Sequence, residues 1–373
     1  MPDMQDASLN QLLDTVRAAS AQGTPLQIRG GGTHDFLAQR LHGEPLTTTA
    51  LTGITSYEPS ELVVTARAGT PLAELEATLA DKGQCLPFEP PRFGASRTGT
   101  VGGMVATGLS GPARASVGAV RDFVLGVQLV NGRAELLTFG GQVMKNVAGY
   151  DVSRLMAGSW GTLGVISEVS LKVLPVAPAE ATVKFACDQT RALAMLNAWG
   201  GKPLPLNASC WLEEAGAGTL YLRLRGAVAA VEAACRTLGG ERQGDVDADW
   251  QACRDQQLPW FAGRDPSLCL WRLSVPQTAP VLAMPAGVAP PLVEWHGGQR
   301  WVQAGLEHGA ALREAVARID GNATLFIANN DQPTLDFPRF EPLKSPLDRI
   351  HQRLKAEFDP AGIFNPGRLY AGL

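Results

Sequence analysis

The sequence predicts an α+β protein of two domains, on three observations. Its 373 residues are about two domains' worth of chain. Strand-like and helix-like runs are mixed along it, with no internal repeat. Composition changes at about residue 178, after the break Pro175-Val176-Ala177-Pro178: seven of the eight tryptophans and five of the six cysteines follow that point. The expected division is 1–178, 179–330 and a C-terminal tail, 331–373.

The elements follow in order. Leu9, Leu12, Leu13 and Val16 form one apolar stripe of a helix near 9–20, with Ser8 as cap and Gln11 at the reciprocal capping position. The strand Leu26–Arg29 runs into three glycines. A strand near 62–66 leads to a helix that Thr70 caps, Pro71 opens and Gly83 ends, with Leu72, Leu75 and Leu79 on its buried face. Residues 84–118 read as a long irregular stretch, a feature that is usually functional. Val124–Val130 and Ala134–Phe139 read as a hairpin, with Asn131-Gly132 suited to a type I′ turn. A strand spans 164–174. Beyond the break, strand-like runs lie at 219–224 and 268–275, and helix-like runs at 228–238 and 310–319. The last helix has Ser345 as cap and Pro346 at its first position, with Leu347, Ile350, Leu354 and Phe358 as its core stripe.

Composition excludes several classes. Apolar residues are 45% and charged residues 18%, which argues against a solvating, disordered chain. With 32 Lys and Arg against 36 Asp and Glu, no basic surplus points to nucleic acid. The start, MPDMQDASLN, lacks the basic and apolar regions of a secretory signal. The longest uncharged stretch, 273–293, holds five prolines and does not suit a spanning helix. The cysteines form no Cys-x-x-Cys pair, so scattered thiols of a cytoplasmic protein are expected, with no metal. Any membrane contact is expected to be peripheral, through partners.

Three glycine-rich segments carry the chemistry. Arg29-Gly30-Gly31-Gly32-Thr33-His34 ends a strand, and bare N–H groups in such a loop can nest around an anion. Thr98–Gly111 packs small residues and hydroxyls, letting backbone approach a large flat ligand. Trp160-Gly161-Thr162-Leu163-Gly164-Val165 leads into a strand. There is no Gly-x-x-x-x-Gly-Lys-Ser/Thr, and no Gly-x-Gly-x-x-Gly between a strand and a helix, so neither a P-loop nor a Rossmann site is expected.

Together, in this order and spacing, the three segments resemble the FAD-binding domain of the vanillyl-alcohol-oxidase/PCMH superfamily, over residues 1 to about 178. The ending Phe358–Arg368 (FDPAGIFNPGR) resembles the FAD-linked oxidase tail. Within the superfamily, RGGGTHDF (29–36), KNVAGYD (145–151) and FNPGRLY (364–370) are most similar to the FAD-binding subunits of bacterial glycolate oxidases. The resemblance implies a two-lobed PCMH-type domain, an α+β cap domain, and a tail that returns to the first. It implies that the loop opened by Arg29 holds the FAD pyrophosphate through Gly30, Gly31, Gly32, Thr33 and His34. Gly99, Thr100, Val101, Gly102 and Gly103, with Thr107, Gly108, Leu109 and Ser110, would follow the ribityl and isoalloxazine. Gly161, Thr162, Leu163, Gly164 and Val165 would contact the flavin and its adenosine end, and Asn365 would lie near the ring. His34 stands where the close family usually has lysine. Thr33 follows the glycines where flavin-linked relatives have histidine, so non-covalent FAD is expected.

Oxidising a 2-hydroxy acid needs a cation for the carboxylate, a base for the hydroxyl proton and a hydride acceptor. Arg300 offers a bidentate guanidinium and His296 a base. The close family commonly has glycine in place of His296. The resemblance further implies a larger flavin subunit and an iron–sulfur subunit as partners, with electrons passing on to quinone. The expected function is the FAD-binding subunit of a heteromeric glycolate (2-hydroxy acid) oxidase. Its rivals are a self-sufficient FAD-dependent D-2-hydroxy-acid dehydrogenase and a non-catalytic structural subunit that keeps the fold.

Overall fold

The computed structural model describes residues 4–39, 41–94, 99–141, 151–329 and 337–373, with backbone alone for 4–6. Lys145 to Tyr150 of the KNVAGYD motif, and Thr98, lie outside them. Two units emerge. The first gathers 1–109, 119–176 and 342–373; the second gathers 110–118 and 177–341. The tail is therefore divided: 337–341 goes with the second unit and 342–373 with the first. No helix among the described residues is long and apolar enough to cross a membrane.

In the first unit the opening helix, Met4–Gln22, buries Leu12, Val16 and Ala19 against Leu26, Leu46, Val165 and Phe364. It starts earlier than expected, so Ser8 lies inside it rather than capping it. The strand Leu26–Arg29 pairs in parallel with Glu44–Thr47. Behind stands a five-stranded antiparallel sheet in the order Ile54–Glu58, Val63–Arg67, Val165–Lys172, Val124–Val130, Leu136–Gly140.

Three local expectations are corrected here. Helix Leu72–Ala80 buries Leu72, Leu75 and Leu79, but Thr70 does not cap it; its hydroxyl bonds the Gly53 backbone instead. The hairpin strands pair, but Val130 stands opposite Leu136, so five residues join them and positive φ falls on Ala134. Asn131 Oδ1 accepts from the N–H groups of Arg133 and Glu135, while the Gly132 N–H donates to the Phe358 carbonyl, so a two-residue type I′ turn does not form. The stretch 84–118 contains a helix, Val101–Thr107. Thr100 caps it by accepting from the Gly103 N–H at 3.2 Å, and Gly108, with φ +63°, ends it.

The closing helix, Leu347–Phe358, also departs from its expected packing. Leu347 and Ile350 are 52% and 47% exposed, and the residue it buries is Lys355. Ser345 accepts from the Arg349 side chain rather than from a helix N–H.

The second unit is built on an eight-stranded antiparallel sheet. Its order is Glu241–Gln243, Ala179–Ala186, Ala217–Gly226, Leu206–Glu214, Leu292–Glu294, Gln299–Ala304, Cys269–Ser274, Asn322–Ile327. Helices Gln189–Gly200 and Val228–Leu238 pack on one end around Leu196, Trp211 and Leu222. Helix Gly309–Ala317 packs on the other, around Trp271, Leu312 and Leu325. All six cysteines are free thiols.

Candidate functional site

Within the first unit, the three glycine-rich segments meet at one cleft of about 660 Å³, counting its solvent-open mouth. Arg29, Gly30, Gly31, Gly32, Thr33 and His34 form one wall. Thr100, Gly102, Gly103 and Thr107 form a second, and Gly161 and Gly164 a third. Gly99 and Leu109 line an adjoining recess, with Thr33 and His34 between the two spaces. Ile28, Asp35, Thr48, Ala68, Ala106, Trp160, Ile166 and Arg368 also line the cleft, and none of these is among the ligand residues expected from the sequence.

Other expected contacts lie elsewhere. Val101 and Val165 are fully buried in the core, and Thr162 and Leu163 are buried beside them in the chain, away from the cleft lining. Gly108 is the helix stop. Ser110 belongs to the second unit.

Close approach excludes a side chain at several of these glycines, Gly102 and Gly161 among them. A Cβ on Gly102 would stand 2.6 Å from that of Ala68 and 3.0 Å from the Ala68 carbonyl oxygen. Gly161 has φ +69°, and a Cβ there would meet Asn365 Nδ2 at 2.7 Å.

The tail fixes the positions of the loops. The Leu26 N–H donates to the Ile363 carbonyl and the Asn365 N–H to that of Leu26, so the tail runs beside the strand that feeds the first loop. Asn365 lies behind the cleft lining and joins two of its walls. Its Oδ1 accepts from the Ile28 N–H at 2.8 Å, and its Nδ2 donates to the Trp160 carbonyl at 2.7 Å. Its φ of +43° suits asparagine better than most residues. Below, buried Lys355 donates to the Thr162 carbonyl, the Phe364 carbonyl and Asp359 Oδ2, at 2.7–2.8 Å. Asp359 accepts in turn from the N–H groups of Ile363 and Phe364.

The cleft carries positive charge. Arg29 pairs with Asp35 through Nη2 and Oδ2, and Arg368 Nη2 stands 3.6 Å from the other Asp35 oxygen. Two guanidinium groups thus share one carboxylate. His34 is neutral near pH 7: burial, then the neighbouring Arg368 charge, push its pKa down to about 4. Its Nδ1 lies 3.0 Å from the Thr33 hydroxyl, and its ring packs edge-on to Phe93. His34 is therefore a hydrogen-bonding imidazole and not a cation.

These residues fit an anionic dinucleotide. Arg29 Nε and Arg368 Nη1 are buried and have no hydrogen-bond partner, and a buried donor left bare is costly. An arriving phosphate would satisfy them. Gly102 lets its wall sit directly against Ala68, and Gly30, Gly31 and Gly103 add side-chain-free backbone to the cleft lining.

In the second unit, Arg300 is not placed to clamp a substrate. It is fully buried, and its guanidinium donates to the carbonyls of Gly297, Ala279 and Pro280, tying down the chain there. His296 is half-buried with φ +55°. Its ring nitrogens face the hydroxyls of Ser209 at 3.1 Å and Ser116 at 2.9 Å. Burial lowers its pKa to about 4. Beside it, Trp295 lies under the Arg114 guanidinium at 4.4 Å and that of Arg272 at 5.1 Å. The sequence shows neither arrangement, since the partners come from segments far apart in the chain.

Residues 5–140 match the family described as FAD binding domain. The chain is 43% identical over 362 residues to glycolate oxidase subunit GlcE of Escherichia coli (strain K12), covering 97% of each protein. It is 28% identical over 179 residues to glycolate oxidase subunit GlcD of Bacillus subtilis (strain 168), spanning 37% of that protein. Among solved structures it shares the fold of alkyldihydroxyacetonephosphate synthase, with a TM-score of 0.65 at 14% identity, covering 96% of this chain and 74% of that one. The PCMH-type fold and the FAD cofactor expected from the sequence are thereby established, and the chain belongs to the family of FAD-binding glycolate oxidase subunits, a family of FAD-dependent oxidoreductases.

Proposed function

We propose that this chain is the FAD-binding subunit of a heteromeric 2-hydroxy-acid oxidase, with glycolate as its substrate at the level of the complex. The near full-length identity to a glycolate oxidase subunit carries this reading. The first glycine loop, with Arg29, would hold the diphosphate. Thr100, Gly102, Gly103 and Thr107 would lie along the flavin moiety, and Gly161 and Gly164 would close the third wall. No histidine directly follows the glycines, which supports a non-covalent cofactor. Bound there, FAD supplies two-electron redox chemistry that the side chains lack.

The six cysteines are spread singly along the sequence, with no Cys-x-x-Cys pair. Electrons therefore leave for a partner, and we assign that role to an iron–sulfur subunit that passes them to quinone. Hydroxy-acid oxidation falls to a larger flavin subunit.

The test is to purify the chain alone and with the two partner subunits, then measure glycolate-dependent dye reduction. The chain alone should bind FAD without turning over glycolate or D-lactate, and the complex should need it for activity. Steady turnover by the isolated chain would favour a self-sufficient dehydrogenase. A Gly102→Val chain that assembles and supports full activity would favour a structural subunit.

A further inference from the structure

We propose that Arg368, carried on the C-terminal tail, binds the diphosphate of the cofactor and completes an anion subsite that the first glycine loop begins. This rests on the FAD reading and names a residue that the reading leaves out. The Arg368 side chain is 8% exposed, yet it lines the same cleft as Gly30, Gly31 and Gly32. Its Nη1 has no partner, and neither has Arg29 Nε across the loop.

The charges around it are unbalanced. Asp35 is the carboxylate that faces the pair; Arg29 makes the close contact to it, and Arg368 stands off at 3.6 Å. His34, the titratable neighbour, is neutral and cannot compete for an anion. The Trp160 ring, 5.6 Å from the guanidinium carbon, limits how Arg368 can turn. A planar fork with unused donors matches a phosphate, whose oxygens accept in pairs.

The backbone holds this fork in place. The Arg368 N–H donates to the Asn365 carbonyl, and its own carbonyl accepts from the Gln39 N–H, just beyond the glycine loop. The bonds of Asn365 and Lys355 fix the segment before it. Docking of the tail thus delivers one guanidinium to the loop.

The test is equilibrium binding of FAD and riboflavin to the full chain and to Arg368→Met and Arg368→Lys, with folding checked by circular dichroism. Arg368→Met should weaken FAD by about tenfold or more, the worth of a charge-assisted hydrogen bond, and leave riboflavin, which has no phosphate, unchanged. Arg368→Lys keeps the charge but loses the fork, and should lie between the two; it decides the matter if the methionine chain does not fold. Unchanged FAD affinity in both variants would overturn the proposal. Equal losses for FAD and riboflavin would also overturn it, by giving Arg368 a structural role through Asp35. A wild-type chain that binds no flavin would overturn the cofactor reading itself.

Discussion

Asn365 places both ends of its amide on main-chain groups of two different cleft walls, at 2.8 and 2.7 Å. Asn365→Ala leaves the Ile28 N–H and the Trp160 carbonyl bare, and each buried group without a partner costs about 1–3 kcal/mol. Chemical denaturation should show that loss, and FAD affinity should fall with it, since both walls shift. His34 makes a pH prediction. Its folded pKa of about 4 lies below its ordinary 6.5, so the unfolded chain binds more protons in between. Its contribution is therefore intact above pH 6.5 and is lost as pH falls towards 4, on the order of 2 kcal/mol for this partly buried group. His296 behaves alike in the second unit. Unfolding free energies from pH 7 to 4 should fall less steeply for His34→Gln than for the wild type; parallel curves would refute the assignment. The FNPGR ending points to Asn365 through its resemblance to a known tail, as a group near the ring; the structure places it behind the cleft lining, bonded to the main chain of two walls. Arg368 sits in the same motif and was not singled out. An arginine after a Pro-Gly turn reads as surface, and only the docking of the tail buries it.

The closing helix shows what an apolar stripe can and cannot tell. Leu347, Ile350, Leu354 and Phe358 mark an amphipathic helix, and the helix is there, Leu347–Phe358. The pattern does not say which surface covers that stripe; within this chain Leu347 and Ile350 stay exposed while Lys355 turns inward. A buried lysine is costly unless it is paired, and Asp359 with two carbonyls offsets that cost. Lys355→Met leaves the buried Asp359 carboxylate without its cation, held only by the Ile363 and Phe364 N–H groups. Removing one partner of a buried pair costs about 3–5 kcal/mol, so thermal unfolding should shift down sharply and FAD should be released earlier in the melt. An unshifted melt would mean that the tail docks without this ion pair. The helix Val101–Thr107 was hidden for the opposite reason. Gly102 and Gly103 lower its propensity, and it forms because capping by Thr100 and the Gly102–Ala68 contact outweigh that deficit.

At the scale of the molecule, composition changes at about residue 178 because tryptophan-rich strands follow it, one segment of the first unit ends at Val176, and strand and helix periodicity located many of the strands of both sheets. Local pattern does not reveal which separated segments assemble; only the resemblance to a known family implied the shared ligand and the returning tail. The segment 110–118 belongs with the second unit and 342–373 with the first, and neither assignment follows from local pattern. Arg300 was misread for that reason: its three carbonyl partners lie in loops whose positions only the fold determines. The cleft depends on the same kind of long-range meeting, with side-chain-poor walls drawn from residues near 30, 100 and 161 and held by the tail. Titrating the flavin-free chain with FAD, following flavin fluorescence and then precipitating with acid, tests this directly. Saturation at one FAD per chain, with the flavin returning to the supernatant, is the predicted result. A folded chain that stays colourless and leaves added FAD unquenched would contradict it.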